Sequence, residues 1–179
     1  MRKSREEAAE TRKRIVQAAA SEFREKGIVA TGLTDLMKAA GLTHGGFYKH
    51  FESKDQLVAE ATAAGLEAIL ELMAGRATAG EAVSAYLSPA HRDAPGSGCP
   101  LAANGDELSR ADLKTRETAT DGFKRLVEIL AGEGATIEVR RQALVTAVTM
   151  IGALTMSRVV SDPKLSDDIL REAKKSLRG

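Results

Sequence analysis

Apolar side chains recur every three or four residues along nearly the whole chain, and nowhere do β-branched residues alternate with polar ones for long. That period gathers apolar groups on one face of a helix, so the chain is expected to be all-α. Only Pro89, Pro95, Pro100 and Pro163 interrupt it. In the first expected helix Ile15, Ala18, Ala19, Glu22 and Phe23 fall on adjoining turns, and Gly27 ends it. A loop over residues 28–33 leads to Thr34, read as the N-cap of a second helix over residues 35–40 that Gly41 stops. Thr43 caps a third, very short helix ending near Phe51, and Ser53 caps a fourth that begins at Lys54. Further helices are expected over Ala79–Tyr86, residues 101–109, Leu113–Ala131, residues 136–160 and residues 166–177, with Pro163 separating the last two. Residues 88–98, rich in Pro, Gly and Ser, read as the clearest loop.

The chain has 179 residues, enough for one large domain or a small module fused to a larger one. A chain this long buries about 70% of its unfolded surface, so its core needs no disulfide or metal. Cys99 is the single cysteine and has no partner for an intramolecular disulfide. The N-terminus is charged, and the apolar stretch 139–160 is broken by Arg140, Arg141, Gln142 and several threonines. No membrane association is expected, and a reducing, cytoplasmic setting is the default expectation. Net charge is +1, but from Arg12 to Lys54 eight basic and four acidic residues leave +4, with Arg2, Lys3 and Arg5 ahead of them. A local basic bias suits phosphate contact, and equally a solvated helix face.

The most informative block is Gly41-Leu-Thr-His-Gly-Gly-Phe-Tyr-Lys-His-Phe-Glu-Ser-Lys-Asp-Gln-Leu57. A helix stops at Gly41, turns through Leu42 and restarts at Thr43, which is the helix-turn-helix shape. Gly45 and Gly46 weaken the start of the second helix, at up to about 1 kcal/mol each against alanine, and permit close approach of another molecule. Leu42, Phe47 and Phe51 suit a core, leaving His44, Tyr48, Lys49 and His50 on a polar, aromatic and basic face of major-groove size.

From about Thr11 to Ala61 the chain resembles the DNA-binding domain of TetR-family regulators. The resemblance rests on the long first helix, Thr34-Asp-Leu-Met-Lys-Ala-Ala-Gly, Gly-Gly-Phe-Tyr-Lys-His-Phe, Ser53-Lys54 and Leu57. It implies a three-helix head over residues 1–53 and a helical ligand-binding and dimerisation domain over residues 54–179. By position it implies base reading by His44, Gly45 and Gly46 and phosphate contact by Thr34, Tyr48, His50 and Lys54; Thr43 and Lys49 complete the expected DNA-binding set. Met37 departs from the family, standing where many relatives carry a small residue, and so bears on the angle of the reading helix. The family outcome is usually repression at a palindromic operator on double-stranded DNA, relieved by a small-molecule effector, with no cofactor.

The late helices suit a subunit interface. Leu144, Val148, Ile151, Leu154 and Thr155 trace one stripe, with Leu165, Ile169, Ala173 and Leu177 on the last helix. The resemblance implies that these two helices form a four-helix bundle across the two-fold axis of a homodimer, whose dimer contacts are Leu144, Val148, Ile151, Leu154, Ile169 and Ala173. The same stripes would also suit an ordinary monomer core. An effector pocket, where the family places one, would draw on Leu66, Ile69, Leu70, Met73, Leu101, Leu108, Phe123, Leu126 and Val127, with Asn104 and Glu107 near it; a filled core is the alternative.

Cys99 precedes Pro100, a favoured first helical residue, and a helix start lowers a thiol pKa. Cys99 is therefore read as a thiol sensor or as a small apolar residue sealing the helix. An enzyme built on Cys99 and His91 lacks any base-orienting or oxyanion signature, and no spacing suits a metal. The chain is expected not to be an enzyme.

Overall fold

The computed structural model describes residues 2–177, with side chains from residue 4 onward. Two residues of the expected basic arm, Arg2 and Lys3, have their side chains outside the described residues. Among the described residues the elements are all helical: α1 (Arg2–Lys26), α2 (Leu33–Ala39), a 3-10 helix (His44–Lys49), α3 (Lys54–Ala74), α4 (Ala79–Tyr86), α5 (Pro89–Asp93), a second 3-10 helix (Pro95–Ser97), α6 (Pro100–Ser109), α7 (Leu113–Ala131), α8 (Ile137–Val159) and α9 (Pro163–Ser176).

The breaks follow local chemistry. Gly27 and Gly41 adopt φ +93° and +71°, the left-handed conformation that ends a helix at little steric cost for glycine. After Gly41 the chain closes a Schellman motif, with Leu42 N–H on the Met37 carbonyl (2.8 Å) and Gly41 N–H on that of Lys38 (2.9 Å). Side chains of Ser53, Thr78, Asp112, Thr136 and Asp162 accept from the first free N–H groups of α3, α4, α7, α8 and α9.

Four expectations need correction. Thr34 is not an N-cap: α2 starts at Leu33, two residues earlier than expected, after Gly32, whose carbonyl takes the Leu36 N–H at 3.1 Å. The helix after Thr43 is of the 3-10 type and Thr43 makes no side-chain cap bond; six residues led by two glycines lack the propensity for a full α-turn. Residues 88–98 are not a plain loop, because Pro89 and Pro95 each preset a helical φ and open a short helix. Pro163 likewise opens α9 as a first-turn residue instead of standing outside it.

Two apolar cores result. The first joins Ile15, Ala19 and Phe23 of α1 to Leu36, Met37, Phe47, Phe51, Leu57, Val58 and Ala61. The second joins Ile69, Leu70 and Met73 to Val83, Tyr86, Leu126, Ala147, Met150, Leu154 and Leu170. Helix α3 thus starts in the head core and ends in the body core. Arg12 reinforces the first, reaching Glu60 of α3 with both terminal nitrogens (Nη2 to Oε1 2.6 Å) while its guanidinium lies 4.5 Å over the Phe51 ring.

Candidate DNA interface and its link to the body

The 3-10 helix is held from inside by aromatic packing. Phe47 is fully buried, stacks on Phe51 at 5.5 Å and meets the edge of Tyr48 at 5.1 Å. With Phe47 fixed inward, Tyr48 stands 69% exposed. His44, Gly45 and Lys49 are exposed beside it, as are Thr34, Lys38 and Thr43. Thr34 Oγ1 lies 3.4 Å from His44 Nδ1, so α2 and the 3-10 helix present these two side chains together.

The glycines answer to different surroundings. A side chain at Gly46 would meet Met37 Cε at 3.5 Å, ordinary contact, so Met37 fills the space between α2 and the 3-10 helix without clashing. A side chain at Gly45 would meet nothing within 4 Å. Neither residue has a positive φ. Nothing inside the protein requires glycine at position 45, and its bare backbone faces outward.

Of the expected DNA-binding side chains one is engaged within the chain and another is partly covered. Lys54 Nζ donates to the Ile28 carbonyl at 2.6 Å and lies 5.8 Å over the Phe23 ring, tying α3 to the corner after α1. His50 is half-buried and its carbonyl accepts from Arg12 Nε at 3.3 Å.

Behind the head, the body grips α1 at two places. Arg24 Nε donates to the Gly96 carbonyl at 2.9 Å, and Gly96 N–H donates to Glu25 Oε2 at 3.0 Å. Farther along, Glu107 of α6 accepts the Ile28 and Val29 N–H groups, both at 2.8 Å, and Asn104 Nδ2 donates to the Phe23 carbonyl at 2.8 Å. The bonds from the two backbone amides and Asn104 hold the Glu107 carboxyl below the usual range, despite partial burial. Asn104 therefore serves the seam between head and body, where it is buried and lines a small cleft with Phe23, Arg24 and Pro100. The sequence carries no periodic signal for such a seam, because its partners lie about eighty residues apart.

Cys99 lies at the N-terminus of α6, as expected, but it is 1% exposed and burial pushes its thiol pKa up, opposite to the effect expected of a helix start alone. Around it His91 bridges the chain: Cys99 N–H donates to Nε2 at 2.9 Å, while Nδ1 lies 2.8 Å from the Tyr86 carbonyl. Only the neutral Nδ1–H tautomer satisfies both bonds, and burial lowers the imidazole pKa accordingly. Arg158 of α8 holds the same segment through the carbonyls of Arg92 (3.0 Å) and His91 (2.6 Å).

The central positions expected to line a pocket are largely filled. Leu66, Ile69, Leu70, Met73, Leu108 and Leu126 are buried, Phe123 packs against the body core, and Leu66 fills the space a side chain at Gly122 would need. Two adjoining cavities lie at the end of the body away from the head, the smaller touching Met73; others, of about 340 and 200 Å³, lie beside Arg158 and between Val29 and Thr115. A cavity of about 550 Å³ is lined by Ala79, Gly80, Val83, Leu130, Val139, Gln142, Ala143, Thr146, Ser176 and Leu177. One of about 310 Å³ adjoins it at Ala79 and Leu130. Among the described residues no charged side chain lines the larger one. Among the described residues no group of His, Cys, Asp and Glu is arranged to hold a metal.

On α8, Leu144, Val145, Val148, Met156 and Val159 are exposed, Val148 at 57%, and Leu165 of α9 is exposed near them in sequence. Ile151, Ile169 and Ala173 are half-buried. Leu154 does not belong with them: it is fully buried in the body core, because α8 turns that face toward α6 and α7. Thr155 is also turned inward, donating to the Ala102 carbonyl at 2.9 Å. By length and composition α8 would suffice to cross a membrane; its Ala143, Ala147, Met150 and Leu154 are built into the body core.

Residues 15–61 match the profile of bacterial regulatory proteins of the tetR family. Over those residues the chain is similar to the TetR family. Within its head it is similar to the HTH-type transcriptional regulator TtgR of Pseudomonas putida, 43% identical over 58 residues, which are 32% of this chain and 28% of that regulator. The matched segment thus spans little more than a quarter of that relative's length. Over the whole fold the chain is similar to a TetR regulator from Chloroflexus aurantiacus, with TM-score 0.76, 29% identity, and coverage of 99% of this chain and 94% of that one. Reduced NemR of E. coli shares the fold, with TM-score 0.77 at 20% identity, covering 94% and 95%.

Proposed function

We propose that the chain is a transcriptional regulator, and in the usual sense of the TetR family a repressor, that binds a palindromic operator as a homodimer and is released by a small molecule. The observation that carries this reading is the exposed edge of the 3-10 helix. Tyr48 stands out from a buried Phe47, next to His44 and Lys49, with an unobstructed backbone at Gly45. Aromatic, basic and backbone groups on one narrow convex edge suit entry into a major groove and contact with its phosphates. Thr34, Thr43, Gly46 and His50 flank the edge and are assigned supporting contacts. Lys54 acts chiefly by setting the corner after α1, since its ammonium already has a carbonyl partner.

The exposed stripe on α8, extended by Leu165, Ile169 and Ala173, is assigned to a second copy of the chain. Five large apolar side chains in one row on a helix are a surface that a soluble protein covers. Two heads so joined would read half-sites about 34–36 Å apart. The distal cavity, lined among the described residues by aliphatic groups with Thr146, Gln142 and Ser176, is assigned to the effector, a largely apolar molecule. Release by thiol modification is the weaker arm, because Cys99 is sealed and its thiol is held protonated.

The test is DNA selection with the purified chain beside Tyr48→Ala. A short palindrome enriched by the parent and lost in the variant supports the reading. No enrichment even at low salt, where phosphate contacts are strongest, overturns it.

A further inference from the structure

The two adjoining cavities at the far end of the body share Ala79 and Leu130 in their walls, so they are neighbouring chambers of one space. Small residues create it: α3 ends at Ala74, α4 opens with Ala79 and Gly80, α7 ends at Ala131, and Ala143 of α8 completes the wall. Gly132 follows α7 at φ +76°, and a side chain there would meet nothing within 4 Å. The larger chamber, of about 550 Å³, has an aliphatic wall at Val83, Leu130 and Val139, and its polar side chains, Gln142, Thr146 and Ser176, carry no charge. The smaller, of about 310 Å³, is lined by Arg76, and among the described residues Arg76 is the one charged side chain in either wall. It lies in the turn between α3 and α4, exposed, and has no ion-pair partner among the described residues. Glu81 of α4 is engaged elsewhere, accepting the Ala77 N–H at 3.1 Å.

We propose that the two chambers form one site for an amphiphile with a single negative charge, an aliphatic carboxylate, whose chain fills the larger chamber and whose carboxylate pairs with Arg76 in the smaller. Together the chambers fall within the range of about 300–1,000 Å³ that small-molecule sites occupy. The aliphatic wall rewards a chain, since each methylene taken from water contributes to binding. The charge in the wall selects the other end. One guanidinium accepts one carboxylate through its two-point fork. A doubly charged phosphate would call for a second cation, and an amine for a carboxylate, and neither wall supplies these among the described residues. The inference rests on the effector reading above and gives that effector a chemical class, but the binding itself is open to a test that needs no DNA.

The experiment is titration calorimetry on the full chain at neutral pH, with hexanoate, octanoate and decanoate beside the alcohols and primary amines of equal length. Kd falls about threefold for each added methylene. The carboxylates bind about fivefold tighter than the alcohols, the upper range for an ion pair screened by solvent, and the amines bind more weakly than either. Arg76→Gln abolishes the difference between acid and alcohol and leaves alcohol binding as in the parent, Arg76→Lys keeps most of it, and Ala143→Phe weakens acid and alcohol together. Carboxylates that bind no tighter than alcohols overturn the inference, as do a preference for acids that survives Arg76→Gln, an affinity indifferent to chain length, and the failure of every chain to bind. Operator binding is measured separately. An acid that binds in the expected pattern but leaves the operator complex intact supports the site and overturns its assignment to the effector. If the parent selects no operator, the proposed function fails, and calorimetry alone decides the site.

Discussion

A glycine with open space where its side chain would be serves nothing in its own chain, and Gly45 is such a residue. Gly45→Ala is therefore expected to leave thermal stability unchanged or raise it by up to about 1 kcal/mol, from the better helix propensity of alanine. The same change is expected to weaken operator binding about tenfold, the order of one lost base contact. Unfolding curves measured beside a binding titration separate the two effects, and a variant that binds like the parent would remove Gly45 from the interface. Cys99 gives a second test at this scale. Its thiol is expected to react with a maleimide far more slowly in the native chain than in urea, because it is enclosed and protonated; equal rates would restore it as a sensor. His91 gives a third. Its folded pKa is depressed below the ordinary value of about 6.5. The unfolded chain then binds a proton that the folded chain refuses, so this contribution is complete above about pH 6.5 and declines as pH falls toward the folded pKa. Thermal unfolding from pH 7.5 to 5.5 should show that decline, and it should flatten in His91→Gln.

The helices themselves were largely legible, because periodicity and caps are local. Ala79–Tyr86 and Leu113–Ala131 are found where the apolar rhythm and the flanking Thr78 and Asp112 put them. The departures share one cause. At Thr34 and at Thr43 a threonine was read as a cap from its identity alone, but α2 starts directly after Gly32, and glycine content converts the next helix to 3-10. Residues 88–98 have turn composition, yet Arg24 and Arg158 bind their backbone, and His91 ties them to Tyr86 and Cys99 on either side. Leu154 fits the period of the α8 stripe but lies on its inner side, since a helix apolar nearly all round gives no periodic clue to which face meets its own core. At this scale Leu144→Asp with Val148→Asp is expected to abolish association while leaving helix content intact, because both positions are already exposed. Sedimentation velocity beside far-ultraviolet circular dichroism checks it, and an unchanged sedimentation coefficient would reassign the stripe.

At the scale of the molecule, two cores are joined by one continuous helix, α3, and by polar contacts at Glu107, Asn104 and Arg24. Sequence patterning signals each core, because both are built from apolar periodicity. It is silent on the seam, where single polar groups bind distant backbone with no repeat to reveal them. It also drew the expected effector pocket from the central helices, where Leu66, Leu70 and Leu126 pack, while the 550 Å³ cavity lies at the far end and only Met73 of the expected apolar lining touches the smaller cavity beside it. Ala143→Phe is accordingly expected to fill part of that volume and to abolish relief by an effector while leaving operator affinity within about twofold, the cavity being remote from the heads. Reporter expression across a compound library, parent against variant, would show it.

The exposed row on α8 carries a consequence for gene dosage. If two chains must meet along it before either head is useful, operator occupancy in scarce conditions rises with the square of the chain's abundance. A regulator repressing its own gene through such an assembly would then damp large fluctuations more steeply than small ones.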